Sequence, residues 1–92
     1  MNRSEILSTA NEYITKDRAA THGAPEDNFA QIAAAWNWWL NSRLTAPINA
    51  HDVAMMMTLF KMARAKGNPS NTENPIDGCG YFAIAGELAS KD

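Results

Sequence analysis

The amino-acid sequence predicts an all-α protein, a compact four-helix bundle-like single domain over residues 1–92. Three observations carry that prediction. Apolar residues recur at i, i+3 and i+4 in four separate stretches, which is the helical period. No stretch alternates apolar and polar residues long enough to make a strand. Clusters of Gly, Pro, Ser and Asn, in THGAPEDN, TAPI and KGNPSNTEN, divide the stretches from one another.

The first helix is expected in RSEILSTANEYITKDRAA, where Ile6, Leu7, Ala10, Tyr13 and Ile14 share a face. Asn2 with Glu5 three residues on, or Ser4, can cap it. The second is expected in APEDNFAQIAAAWNWWLNSRL. Pro25 suits its first position, and Glu26 and Asp27 suit the positive end of the helix dipole. Phe29, Ile32, Ala33, Trp36, Trp39 and Leu40 line one face, with Trp38 about 100° away. The third, NAHDVAMMMTLFKMARAKGN, starts with Asn49 as cap and Asp52 at the third position. The fourth, PIDGCGYFAIAGELAS, follows a second such signal, Asn74-Pro75-x-Asp77, with Ile76, Tyr81, Ile84, Ala85 and Leu88 as core candidates. Gly78, Gly80 and Gly86 each weaken that helix by about 1 kcal/mol against Ala, so they point to close helix approach or a nearby ligand.

A chain of 92 residues has one core and buries only about 60–65 % of its unfolded surface. The single Cys79 cannot supply an internal disulfide, which fits a reducing compartment. Oligomerisation is the remaining common route to stability. The net charge of −2 disfavours a nucleic-acid partner, and no apolar run approaches the ~20 residues of a membrane span. With no signal-peptide core near the N-terminus, the expectation is a cytoplasmic protein without membrane contact.

Residues 53–60 of the third helix are apolar except Thr58, and such a helix needs cover on every side. Met55, Met56 and Met57 suit an adaptable interface. Trp38 and Trp39 cannot both point into the core with Trp36, so they join the interface candidates. Lys61 and Arg64 then share a face at i, i+3. They end the helix where cations suit its dipole, and they are also candidates for holding an anion. Arg18 and His22 are further cation candidates before the second helix. No zinc-type spacing, phosphate loop or nucleophile signature occurs, and no cofactor is expected. Cys79, near a helix start, is read first as a small buried residue. If magnesium were bound, Asp52 and Asp77, with Glu73, are the candidate ligands. A short loop makes neighbouring helices antiparallel and separates their starts, which works against that convergence.

The ordered residues Arg18, His22-Gly23-x-Pro25-Glu26-x-Asn28-Phe29, Asp52-Val53-Ala54-x-Met56-Met57, Lys61-x-Ala63-Arg64 and Asn74-x-x-Asp77-x-x-Gly80-Tyr81 resemble a family of small phage and prophage proteins classed as a domain of unknown function. His22 stands where Tyr is usual, and SRLTAPIN is extra. The resemblance implies a viral accessory role and no established reaction. A weaker similarity is to MazG-like all-α NTP pyrophosphatases, which bind magnesium and triphosphate through E-x-x-E and E-x-x-D. This chain has no E-x-x-E, so two-metal hydrolysis lacks its ligands.

The expected function is therefore a phage-encoded, non-enzymatic helical homo-oligomer. It would bind a small anionic, nucleotide-like ligand, such as a host defence signal. Arg18, His22, Lys61 and Arg64 would face the anion, Asn28, Asn74 and Asp77 would hydrogen-bond, and Tyr81 would stack. Two alternatives stand beside it. One is a protein–protein inhibitor of a host defence complex. The other is a MazG-like pyrophosphohydrolase, the only reading that needs magnesium.

Overall fold

Four α-helices and no strand make up the described part of the chain, residues 1–17 and 23–90 of a computed structural model. They are α1 (Arg3–Glu12), α2 (Pro25–Leu40), α3 (Ala50–Gly67) and α4 (Glu73–Ser90). A π-helical turn, Tyr13–Asp17, extends α1, and a 3₁₀ turn, Asn41–Arg43, follows α2. The expected all-α bundle is the observed architecture.

Local chemistry explains three of the four starts. Asn2 Oδ1 accepts from the Glu5 N–H at 2.8 Å, and Glu5 Oε1 accepts from the Asn2 N–H at 3.0 Å. Asn49 and Asp52 repeat this reciprocal box at 2.9 and 3.0 Å. Pro25 opens α2, where its missing N–H costs nothing. The fourth start differs from the expectation. Helix α4 begins at Glu73, whose N–H donates to Asn71 Oδ1 at 3.0 Å, before Asn74 can act as a cap. Asn74 instead lies buried in the first turn. Asp77 reaches across to another helix.

Two of the expected helices are shorter as α-helix than the periodicity implied. The first changes to π geometry at Tyr13, and its expected residues 18–20 lie outside the described residues. The second stops at Leu40 because Asn41 takes a φ of +42°, which Asn tolerates better than most residues.

Helices α3 and α4 form an antiparallel hairpin, with α2 packed on α3 and α1 on α4. Val53 and Ala54 are fully buried at the centre, with Phe29, Ala33, Tyr81, Ile84 and Ala85 around them. Ile14, Trp36 and Ile48 pack on this cluster, while Leu88 is only half-buried. Leu7 and Trp39, expected to face the core, are exposed. Helix α1 packs on α4, and Leu7 lies on the side left to water. Trp39 shares the side of Ile32 and Trp36 but lies one turn beyond Trp36, near the end of α2, where it stays uncovered.

The α2–α3 connection is held by one side chain. Asn37 Nδ2 donates to the Ile48 carbonyl, and Asn37 Oδ1 accepts from the Ile48 N–H, both at 2.9 Å. Asn37→Ala removes both bonds and orphans two half-buried backbone groups. Urea denaturation is expected to show a loss of about 1–2 kcal/mol, with an unchanged slope.

Candidate functional site

Among the described residues, a concavity of about 470 Å³ lies among α2, α3 and α4. That is within the range of small-molecule sites. Helix α2 supplies Pro25, Asn28, Phe29, Gln31, Ile32 and Ala35; α3 supplies Met57; α4 supplies Tyr81 and Ile84. Gly23 sits at its edge with a φ of +80°, a conformation that suits glycine.

The wall is mostly apolar, as the core-facing sides of three helices require. Phe29 and Tyr81 are buried against each other, with ring centroids 6.0 Å apart and planes tilted by 40°. Two primary amides, Asn28 and Gln31, stand three residues apart on α2 and border the same space. No charged side chain is among these lining residues. The arrangement offers aromatic and aliphatic surface bordered by two amides. It offers no nucleophile activated by a base.

A second depression of about 300 Å³ lies on the other side of the α3–α4 hairpin. Lys61, Asn74, Gly78, Cys79 and Phe82 are among its lining residues. Here Lys61 Nζ meets Asp77 Oδ2 at 2.9 Å, with side chains only 13 % and 11 % exposed. Lys61 thus turns inward to a carboxylate of its own chain, where the sequence had suggested a helix-end cation or a holder of an anion. Its stem runs beside Gly78, where an added Cβ would lie 3.7 Å from Lys61 Cβ, an ordinary contact.

The expected ligand residues therefore fall in different places. Asn28 and Tyr81 border the larger cavity. Lys61 and Asn74 border the smaller one, with Asp77 bound to Lys61. Arg64 is exposed, its guanidinium 5.0 Å from the Phe60 ring centroid. Arg18 and His22 lie outside the described residues. Among the interface candidates, Trp38 and Trp39 are 78 % and 71 % exposed, and Met56 is exposed. Met55 is half-buried against the core, and Met57 faces the larger cavity. For the metal candidates, Asp52 serves the α3 capping box and Asp77 serves Lys61. Among the described residues no three of His, Cys, Asp and Glu gather as a metal site. No helix among them is long and apolar enough to cross a membrane.

Sequence reasoning missed Gln31, Met57 and Ile84 as cavity residues and the Lys61–Asp77 pair. The pair had a readable signal. Lys61 and Asp77 lie nine and seven positions to either side of Ser70, the middle of the hairpin loop, and an antiparallel hairpin brings positions at such similar distances together. Gln31 had a weaker one, its i, i+3 spacing from Asn28.

Comparison with known proteins adds a family and two relatives. Residues 5–89 match DUF6378, a domain of unknown function. The Gene 55 protein of Mycobacterium phage L5 is 34 % identical over 79 residues, which is 86 % of this chain and 49 % of that protein. The Gene 55 protein of Mycobacterium phage D29 is 34 % identical over 76 residues, 83 % of this chain and 48 % of that protein. The chain thus spans about half the length of the curated relatives it matches. No solved structure matches it.

Proposed function

The chain belongs to the DUF6378 family, and from that premise we propose that it is a phage-encoded, non-enzymatic protein that binds a small nucleotide-like ligand. The cavity among α2, α3 and α4 supports this reading: 470 Å³ lined by the Phe29–Tyr81 pair and the Asn28 and Gln31 amides. A nucleobase has the matching chemistry, a flat apolar body with a hydrogen-bonding edge. The phosphate end needs cations that the described lining lacks. Arg18 and His22 are the candidates, because His22 is bonded directly to Gly23 at the cavity edge. Lys61, Arg64, Asn74 and Asp77 belong to this site only if the ligand extends well beyond the cavity. A homo-oligomer in the cytoplasm of an infected or lysogenic bacterium, sequestering a host defence signal, completes the proposal.

Native mass spectrometry of the purified protein, followed by calorimetric titration with nucleosides and their phosphates, tests it. The expected result is a retained or titratable nucleotide. Gln31→Ala weakens binding about tenfold, the worth of one hydrogen bond. Ala35→Trp, at an exposed lining position, blocks the cavity and abolishes binding. No mass increment and no heat with any of these compounds would overturn the reading.

One observation favours a second reading, inhibition of a host defence complex by direct contact. Trp38 and Trp39 stand exposed beside each other, ring centroids 6.4 Å apart, and exposed tryptophans are frequent binding hot spots. Capture of a host protein, lost in Trp38→Ala/Trp39→Ala while nucleotide titration stays silent, would favour it. The MazG-like alternative predicts pyrophosphate release from an NTP with magnesium, and no described carboxylate cluster supports it.

A further inference from the structure

Helix α3 leaves one long side uncovered. Met56, Leu59 and Met62 are exposed along it, Leu59 and Met62 by 61 % and 63 %. The neighbouring Phe82 of α4, exposed by 59 %, flanks Met62. Val53, Ala54 and Met57 lie on the opposite side, in the core and the larger cavity, while Met55 on this side keeps partial contact with the core. This side has a seven-residue repeat: Asp52, Leu59 and Lys66 form one row, Met55 and Met62 a second, Met56 and Ala63 a third. The repeat is also symmetric about Leu59. Met56 and Met62 are equidistant from it, as are Met55 and Ala63, and Asp52 and Lys66.

We propose that a second copy of this chain docks on this face, its α3 antiparallel to the first, with the two-fold axis passing at Leu59. Charge selects the direction. Antiparallel pairing sets Asp52 against the other copy's Lys66 at both ends, whereas parallel pairing sets like charge against like. The helix dipoles also oppose favourably when antiparallel. Asp52 Oδ2 takes the Asn49 N–H at 3.0 Å, and the second carboxylate oxygen can face the lysine. An isologous contact of this kind needs each residue to meet its own complement on an identical surface, and the symmetric repeat meets that condition. Pairing removes Leu59, Met56 and Met62 from water, and Phe82 extends the contact onto α4. The surface sharpens the homo-oligomer part of the reading above and is separate from the cavity.

Light scattering after gel filtration, with the whole chain, tests the proposal. A dimer is expected for the unaltered protein. Leu59→Glu places two carboxylates at the axis and raises the dissociation constant at least about thirtyfold, the effect of losing a central hot spot. Because Leu59 is exposed, far-UV circular dichroism and nucleotide titration stay unchanged, so this test and the ligand test fail independently. The geometry is read by cross-linking in a Cys79→Ser background. Leu59→Cys alone forms an oxidised dimer. Met56→Cys and Met62→Cys form one only when mixed. A monomer at all concentrations, a dimer indifferent to Leu59→Glu, or equal self-cross-linking by Met56→Cys and Leu59→Cys would each overturn it.

Discussion

Lys61→Ala is expected to destabilise the fold by about 3 kcal/mol, the lower end for breaking a buried ion pair. The lower end applies because both side chains keep slight solvent contact, 13 % and 11 % exposed. The loss comes from Asp77, which is left on the α3–α4 seam without the ammonium 2.9 Å from it. Asp77→Ala leaves Lys61 in the same position, but its longer stem can swing to water, so the cost is smaller, about 2 kcal/mol. Lys61→Met/Asp77→Leu removes both charges and is expected to recover most of the loss, because the apolar pair fits the seam beside Phe82 and Met62. Urea denaturation of the original protein, Lys61→Ala, Asp77→Ala and Lys61→Ala/Asp77→Ala closes a double-mutant cycle with a coupling of about 2 kcal/mol. A Lys61→Ala protein within about 0.5 kcal/mol of the original would reduce the pair to an ordinary surface contact. Any loss of ligand binding in Lys61→Ala must therefore be separated from unfolding before it is assigned to an anion.

The second large effect concerns two glycines on one helix. Gly80→Ala is expected to destabilise by about 2 kcal/mol, as overpacking of 1–3 kcal/mol outweighs the gain in helix propensity. An added Cβ at Gly80 lies 2.8 Å from Ile14 Cγ2. That methyl branches from the β carbon of a stiff side chain in the π-helical turn, so it cannot swing aside. The contact between α4 and the end of α1 must open instead. In an Ile14→Ala background the same change becomes neutral or stabilising, because the obstructing methyl is gone. Gly86→Ala meets nothing within 4 Å and is expected to stabilise by about 0.5–1 kcal/mol. Thermal unfolding of the set checks this. Equal effects at Gly80 and Gly86 would mean that α1 does not press on α4.

Two look-alike motifs show how far the sequence reached. Asn49-x-x-Asp52 and Asn74-x-x-Asp77 have the same spacing, and both suggest a capped helix start. The first is one, with both reciprocal bonds present. The second is not, because Asn71 takes the first free N–H and starts α4 earlier. Asn74 then falls on a buried side and Asp77 within reach of Lys61. Nothing inside a four-residue window distinguishes the two motifs. The tryptophans divide likewise. Trp38 was legibly off the core face, but Trp39 had to be seen without a covering helix to be known as exposed.

What the sequence determined by itself was the four helices, three of their starts and most of the core: Ala10, Phe29, Ala33, Ile76, Tyr81, Ile84 and Ala85. These follow from hydrogen bonds and side-chain periodicity within a few residues, which any single segment contains. Only the tertiary structure decided that Lys61 belongs to Asp77, that Met57 faces a cavity while Met56 faces outward, and that Asn28 and Tyr81 border one space away from Arg64. Each of those depends on which helix lies across from which, a relation set by packing between segments distant in the chain.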